Sequence, residues 1–164
     1  MSSDPDLSFL IVEIAGQLVA CDVRAVHAVL PPDDVVAVPL APSPVAGITT
    51  KRGHVLTVID GRAAVTAQTP PASNSVVIDI HGYRYALLVD AVDEVVTASA
   101  ADIAPPPPGL EPAWACFTTG MIRLAGERIA LVVRLEHFVE LSVKGLPAFN
   151  HPITTAAVEA HALH

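Results

Sequence analysis

The stretch LIVEIAGQLVACDVRAVHAVL at residues 10–30 decides the fold, because the stretch VVIDIHGYRYALLVDAVDEVV at residues 76–96 aligns with it without a gap. Seven of the 21 aligned pairs are identical: Ile14/Ile80, Gly16/Gly82, Ala20/Ala86, Val23/Val89, Ala25/Ala91, Val26/Val92 and Val29/Val95. Repetition of this kind indicates one structural unit used twice, and two copies are fewer than the about three that a solenoid needs. The repeat therefore predicts a pair of similar small β-barrels packed against each other.

A shorter block recurs farther along each copy. In GITTKRG, Gly47 and Gly53 are six residues apart, as are Gly120 and Gly126 in GMIRLAG, and an apolar, strand-like run follows each pair. Glycine is favoured where a side chain would obstruct a close approach of the chain or where φ is positive. We expect one of these conditions at Gly47 and at Gly53; an ordinary hairpin glycine without a role in binding is the alternative at both positions.

The repeat also predicts how the chain is divided. We place the first copy at about residues 9–65 and the second at about 75–141, with the polar stretch TAQTPPASNS (66–75) as the linker. Residues 142–164 form a C-terminal tail that is either docked or frayed. A chain of 164 residues is long enough for two small lobes that share one core.

Composition excludes several functional classes. The formal net charge of −8 argues against binding to nucleic acid and to an anionic membrane surface. No run approaches the ~18–20 apolar residues that span a bilayer, and the N-terminal MSSDPDLSFL has no basic residue of the kind that begins a secretory signal. Charged residues are 16% of the chain, below the usual share of about 25%, which leaves apolar surface for protein partners. We expect a cytoplasmic protein without direct membrane insertion.

Residue types for catalysis or metal binding are present without the motifs that use them. The seven histidines include no HExxH, and the chain has no Cys-x-x-Cys, no P-loop and no GxSxG. Asp60 and Asp90 have no visible partner acid or base, and helix caps or surface charges explain them. Cys21 and Cys116 are far apart and are expected to be two buried thiols, although a disulfide stays open. We predict no enzyme, no cofactor and no metal site.

Local patterns predict mostly strands. Hairpins are expected around Gly16 and Gly82, and the predicted strands are residues 9–15, 17–22, 45–50, 54–60, 76–81, 83–89, 117–124 and 127–134. Asp22 and Asp90 are positioned as N-caps of short helical turns that follow them. The proline-rich connection at 31–44 contains VVAV, which suggests one further strand, and LEHFVEL (135–141) suggests a closing helix.

In this order, the segments resemble the CheW-like chemotaxis coupling domain over residues 8–141. The most specific element is Gly47–Gly53 followed by VLTVID, and the second is LLVDAVDEV at residues 87–95. The resemblance implies an all-β fold of two intertwined five-stranded SH3-like β-barrel subdomains, with an apolar interface between them and short helices.

The resemblance also implies a function in signal transduction without catalysis. The family's domain is an adaptor of two-component chemotaxis systems, and it couples the cytoplasmic tip of methyl-accepting chemoreceptors to the regulatory domain of the histidine kinase CheA. One surface takes the kinase, and a groove at the subdomain junction takes the receptor's helical hairpin. Two alternatives stay open: a small-molecule or peptide-binding module, or weak enzyme, on the duplicated barrel, and a coupling protein of a non-chemotactic receptor–kinase array.

By the same resemblance, six residues are expected to take part in receptor binding: Val26, Ala28, Gly47, Arg52, Val76 and Val95. Arg52 is the strongest candidate, because its planar guanidinium can pair with a carboxylate or with loop carbonyls; a purely structural role is the alternative. The chain departs from the family pattern at Ala28, where an acidic residue is usual, at Thr50–Lys51, where Asn-Leu is favoured, and at Gly61, where leucine is common. The missing carboxylate at Ala28 predicts the loss of one polar contact.

Overall fold

A computed structural model describes residues 6–31, 35–41, 44–66 and 74–144. Its ten strands are β1 (Leu7–Ile14), β2 (Gln17–Asp22), β3 (Val26–Leu30), β4 (Val45–Lys51), β5 (His54–Asp60), β6 (Asn74–Ile80), β7 (Tyr83–Val89), β8 (Ala91–Ala98), β9 (Thr118–Leu124) and β10 (Arg128–Val133). Its α-helices are α1 (Gly61–Thr66), α2 (Pro112–Ala115) and α3 (Leu135–Lys144). The linker predicted at 66–75 and the predicted tail lie largely outside the described residues.

The strands form two five-stranded sheets, and each sheet takes strands from both copies of the repeat. Sheet A has the order β8-β1-β2-β10-β9, and sheet B has the order β3-β6-β7-β5-β4. Each strand has an equivalent in the other copy whose number differs by five, such as β1 and β6. Exchanging every strand for its equivalent converts the order of sheet A into that of sheet B. The prediction of an all-β fold with two intertwined five-stranded SH3-like subdomains is therefore confirmed, and the repeat has become a pseudo-twofold symmetry of the structure.

Glycine is the second residue of three tight hairpin turns. Three two-residue turns have positive φ at both positions, with values from 50° to 83°: Ala15–Gly16, Arg52–Gly53 and His81–Gly82. Such turns match the right-handed twist of the two strands that they join. The predicted hairpins around Gly16 and Gly82 are confirmed, because Ile14 pairs with Gln17 and Ile80 pairs with Tyr83.

The buried side chains form three clusters, and neighbouring residues on a strand point into different clusters. On β1, Leu10, Val12 and Ile14 point into a large cluster between the two sheets, where Trp114, Phe117 and Phe138 also pack. Phe9 and Ile11 point the other way, into a cluster enclosed by sheet A. Because both faces of β1 are buried, its sequence is apolar at nearly every position. The expected apolar interface between subdomains is this central cluster.

The predicted helical turns hold for one copy only. Asp22 accepts the backbone N–H of Arg24 at 2.9 Å and caps a single 3-10 turn, Val23–Ala25, before β3 begins. No helix follows Asp90, where the prediction was wrong: the chain enters β8 at once and pairs along β1. Three of the eight β8 residues are valines, which favour strands, and pairing with β1 supplies the backbone partners.

Two further expectations need correction. The VVAV segment forms no strand among the described residues, only one bridge in which Val36 pairs with Ile48. The closing helix α3 extends to Lys144 rather than ending at 141. No helix in the described part of the chain is long and apolar enough to cross a membrane.

The two cysteines lie in different environments. Cys21 is buried on β2, and burial raises the pKa of its thiol to about 12. Cys116 is exposed, so the expectation of two buried thiols is wrong for this residue. Both thiols are free.

Candidate partner-binding surfaces

Gly47 lies where the proline-rich connection crosses β4. Its φ is +150°, and a Cβ at this position would collide with the backbone carbonyl oxygen of Val36. Val36 and Ile48 exchange two backbone hydrogen bonds of 2.8 and 2.9 Å beside it. The second copy repeats the arrangement at Gly120, where a Cβ would lie 2.8 Å from the carbonyl oxygen of Ala104. Gly47 therefore allows the connection to lie directly against the sheet.

Arg52 lies at the tip of the β4–β5 hairpin, and its side chain is exposed. Its φ of 50° places it in the left-handed region, which an L-residue with a long side chain rarely adopts. Gly53 follows with φ 80°, and nothing lies within 4 Å of a Cβ built there. A strained, exposed arginine contributes little to packing, so this position favours a role at the surface.

The six predicted residues differ in exposure. Val95 is 60% exposed, Val76 is fully buried, and Gly47 is buried against Val36. Val26 and Ala28 are half-buried on the edge strand β3. Val76 can therefore support the sheet beneath a binding surface but cannot contact a partner directly.

The structure brings only some of the six together. Val26 and Ala28 lie on β3 next to β6, which carries Val76, whereas Gly47 lies on β4 and Arg52 in the turn between β4 and β5. The first four belong to strands of sheet B, and Arg52 connects two strands of the same sheet. Val95 is separate: it lies on β8 at the edge of sheet A, beside Asp93 and Glu94, which pair with Arg128 at 2.8 and 3.4 Å.

Polar groups tie the two copies together at one junction, which we call the sealed junction (Ala15, Asp60, Arg62 and Asp90). The Asp90 carboxylate accepts the backbone N–H of Ala15 at 2.7 Å and pairs with the Arg62 guanidinium at 3.1 Å. Asp60 accepts the N–H groups of Arg62 and Ala63, at 3.0 and 3.2 Å, and so caps α1. Burial is the main reason that the pKa of Asp60 is raised, even though these N–H groups favour its charged form.

Gly61 completes the sealed junction. A Cβ at this position would lie 2.7 Å from the carbonyl oxygen of Leu88 and 3.2 Å from the side chain of Ile14. The backbone of β7 therefore leaves no room for the leucine that the family pattern favours here. This departure from the pattern has a local steric cause.

The junction related to it by the pseudo-twofold symmetry is open, and we call it the junction groove. It is a cavity of about 570 Å³ whose floor includes Phe9, Ile80 and Leu135. Its ionisable lining residues are Asp22, Arg24, Asp79, His81, Arg134 and Glu136. The resemblance implies a groove at the junction, but none of the six predicted residues lines this cavity.

A second surface lies at the end of sheet B. The β4–β5 and β6–β7 hairpins splay apart there, because hydrogen bonding between β5 and β7 begins only at Thr57 and Tyr85. The cavity between the hairpins measures about 420 Å³. Val55 and Tyr83 line it and are 65% and 59% exposed. The rest of the lining is mostly polar and includes His54, Asp79 and Arg84, so Val55 and Tyr83 are exposed apolar side chains in a largely polar surface.

The match to known proteins follows the same boundaries as the repeat. A family model described as the CheW-like domain matches residues 8–142. The chain belongs to the CheW-like family. Its solved structural relatives include the scaffolding protein TtCheW from Thermoanaerobacter tengcongensis, with a TM-score of 0.72, 23% identity, and coverage of 88% of this chain and 99% of that one. At this identity the likeness shows the fold.

A curated CheW-like relative is more similar in sequence over a shorter stretch. The chain is 32% identical over 97 residues to the chemotaxis protein CheW of Rhizobium meliloti. The matched stretch is 57% of this chain and 63% of the length of that relative. Membership of the CheW-like family confirms the resemblance stated from the sequence.

Proposed function

We propose that this chain is a chemotaxis adaptor, which couples the cytoplasmic tip of a chemoreceptor to the regulatory domain of the histidine kinase CheA in the cytoplasm. The observation that carries the proposal is the match to the CheW-like family over residues 8–142, which includes both lobes of the repeat. Two relatives support it by their descriptions, one as a chemotaxis protein and the other as a scaffolding protein.

The duplicated fold supports binding to two partners. Each lobe presents an exposed apolar residue on an edge strand, Val29 on β3 and Val95 on β8, with exposures of 41% and 60%. The end of sheet B adds Val55 and Tyr83. We assign receptor contacts to Val26, Ala28, Arg52 and Val95; we assign Gly47 and Val76 the task of shaping sheet B beneath them.

An adaptor acts by binding, without catalysis, and the charged groups of this chain fit that role. Asp60 caps α1, Asp90 bonds to a turn and an arginine, and Asp22 pairs with Arg24 at 2.7 Å. These carboxylates are engaged in structural bonds. We propose that both partner surfaces act through apolar contact, with charged residues at their rims providing specificity.

The proposal is tested by calorimetry with two proteins from the same genome, the CheA regulatory domain and a chemoreceptor cytoplasmic fragment. We expect the wild-type chain to bind each one, and we expect Arg52→Ala to fold normally while its affinity for the receptor falls. Alanine also occupies the left-handed position 52, so the strain in the turn stays comparable. Arg123→Ala on β9 of sheet A is the matched control for loss of a surface cation.

Each other outcome has a clear meaning. A wild-type chain that binds neither protein contradicts the adaptor role. An Arg52→Ala chain that unfolds assigns Arg52 to stability instead of binding. Equal receptor affinities for wild type and Arg52→Ala, with Arg123→Ala also unchanged, remove Arg52 from the receptor surface.

A further inference from the structure

The guanidinium of Arg128, the first residue of β10, makes three hydrogen bonds. It donates to the carboxylates of Asp93 at 2.8 Å and Glu94 at 3.4 Å, and its Nε donates to the carbonyl oxygen of Ala125 at 3.2 Å. We call these four residues the Arg128 clamp. Asp93 and Glu94 lie on β8, at one edge of sheet A, and Ala125 lies in the turn that follows β9, at the other edge. The clamp therefore joins the two edges of the sheet.

A β-bulge on β8 makes the clamp possible. Consecutive side chains on a regular strand point to opposite faces, so one guanidinium would not reach two neighbouring residues. The register between β1 and β8 shifts at this point, and Asp93 and Glu94 together lie opposite Ile11. Two residues opposite one define a bulge, which re-aims the side chains that it contains. Both carboxylates can therefore face Arg128.

The same bulge decides on which face of β8 Val95 lies. Val92 packs against the central cluster and Val96 against the cluster enclosed by sheet A, although residues four apart on a regular strand share one face. The bulge thus exchanges the two faces. Val95 pairs with Leu10, so it lies on the face of the central cluster, where it is 60% exposed at the edge of the sheet. A shift of one residue in the register would turn Val95 to the other face.

The first copy of the repeat has a bulge at the same place without a clamp. His27 and Ala28 on β3 are the equivalents of the two acids, and the register between β3 and β6 shifts there. His54, which follows the β4–β5 turn, is the equivalent of Arg128. Because this set contains no carboxylate, formation of the bulge does not account for the clamp. The paired side chains of the clamp are 39–47% exposed, so these ion pairs also contribute little to stability.

We infer that Arg128 is a positioning residue, which fixes the bulge of β8 so that Val95 is presented to the chemoreceptor. The inference rests on the proposed function, because Val95 is there assigned to receptor contact. Arg128 alternates along β10 with Ala130 and Val132, which face the cluster enclosed by sheet A, whereas Val95 lies on the opposite face of its strand. Arg128 therefore acts on Val95 through the backbone of β8 and does not share its contacts.

A double-mutant cycle, measured by calorimetry with the chemoreceptor cytoplasmic fragment, tests the inference. We expect Val95→Ala to weaken binding about fivefold or more, and Arg128→Ala to weaken it about threefold or more but no further than Val95→Ala does. The double variant should bind no more weakly than Val95→Ala alone, because Arg128 acts only through Val95. The Tm of Arg128→Ala should fall by less than about 4 °C. Arg123→Ala removes an equal charge outside the clamp and should leave receptor affinity unchanged.

Amide hydrogen exchange tests the structural step without a receptor. The amides of residues 93–95 should exchange faster in Arg128→Ala than in wild type, while the amides of β2 and β6 keep their protection. Equal exchange at residues 93–95 in the two proteins would overturn the inference.

The cycle separates this inference from the proposed function. If wild type binds the receptor and either Arg128→Ala or Val95→Ala binds it equally well, the inference is overturned and the proposed function stands. Additive losses would make Arg128 a receptor contact in its own right and would also overturn the inference. If wild type does not bind the receptor, both are overturned. If Arg128→Ala does not fold, the variant with Asp93→Asn and Glu94→Gln takes its place in the cycle, since it removes the opposite charges of the clamp and keeps side chains of the same size.

Discussion

Substituting Gly47 by alanine is expected to destabilise the protein well beyond the cost of an ordinary turn glycine. The new Cβ would collide with the carbonyl oxygen of Val36, so the connection must move and its two hydrogen bonds to Ile48 must break. Such bonds contribute about 0.5–1.5 kcal/mol each, and a φ of +150° costs a residue other than glycine about 1–3 kcal/mol. The expected loss in the free energy of unfolding is about 3 kcal/mol or more.

Equilibrium urea denaturation of Gly47→Ala and Gly53→Ala measures this effect against a matched control. Gly53 also has positive φ, but a Cβ there meets nothing within 4 Å. Its substitution should cost only the left-handed strain, about 1–2 kcal/mol. Equal losses for the two variants would show that the close approach of Val36 does not constrain the fold. If the connection is displaced as expected, Gly47→Ala should also bind the receptor more weakly.

Three further predictions concern polar groups and thiols. A thiol-specific reagent should modify Cys116 in the native protein and reach Cys21 only after denaturation, because Cys21 is buried and its pKa is raised to about 12; rapid reaction of both native thiols would contradict this. The raised pKa of Asp60 means that the folded state binds a proton more readily than the unfolded chain, so the contribution of this group to stability falls as the pH rises through its folded-state pKa. Asp60→Asn keeps an acceptor for the α1 cap and should therefore be more stable than wild type at neutral pH in urea denaturation. The difference should be smaller near pH 4, and a difference that does not change with pH would show that titration of Asp60 does not affect stability. A double-mutant cycle of Arg62→Ala and Asp90→Ala should give a coupling free energy of about 1 kcal/mol, and additive effects would show that the sealed junction does not depend on this ion pair.

The repeat predicted two similar lobes and their hairpins, because those signals are local, whereas the resemblance to the CheW-like family supplied the expectation of intertwined, five-stranded, SH3-like subdomains. A glycine followed by a strand-like run marks each hairpin, and alternate side chains on β1 and β6 face different clusters whatever the rest of the chain does. The prediction of a helical turn after Asp90 was wrong because the deciding contact is long-range. AVDEVV fits a short helix as well as a strand, and its pairing with β1, which is distant in sequence, decides between them.

The candidate site was harder to predict, because the two copies differ in the length of one turn. The β4–β5 turn has two residues between Lys51 and His54, whereas the β9–β10 turn has three between Leu124 and Arg128. A gapless alignment through the paired glycines therefore matches Asp60 with Val133, one residue short of Arg134. The register of the strands instead makes Asp60 equivalent to Arg134, and no pattern within either copy shows this.

Exposure was the other quantity that sequence could not supply. Val76 and Val95 are both valines in strand-like runs, yet the first is fully buried and the second is 60% exposed. The difference arises because β6 lies inside sheet B and β8 lies at the edge of sheet A. Strand order depends on long-range pairing, which residue type alone does not report.

We propose that this single chain, through its two lobes, holds a receptor and a kinase at the same time. Analytical ultracentrifugation of the chain with a chemoreceptor cytoplasmic fragment and the CheA regulatory domain, both from the same genome, tests it directly. We expect a ternary complex in which all three proteins sediment together and which does not form when the chain is omitted. Displacement of one partner by the other, with only binary complexes at saturating concentrations, would contradict it.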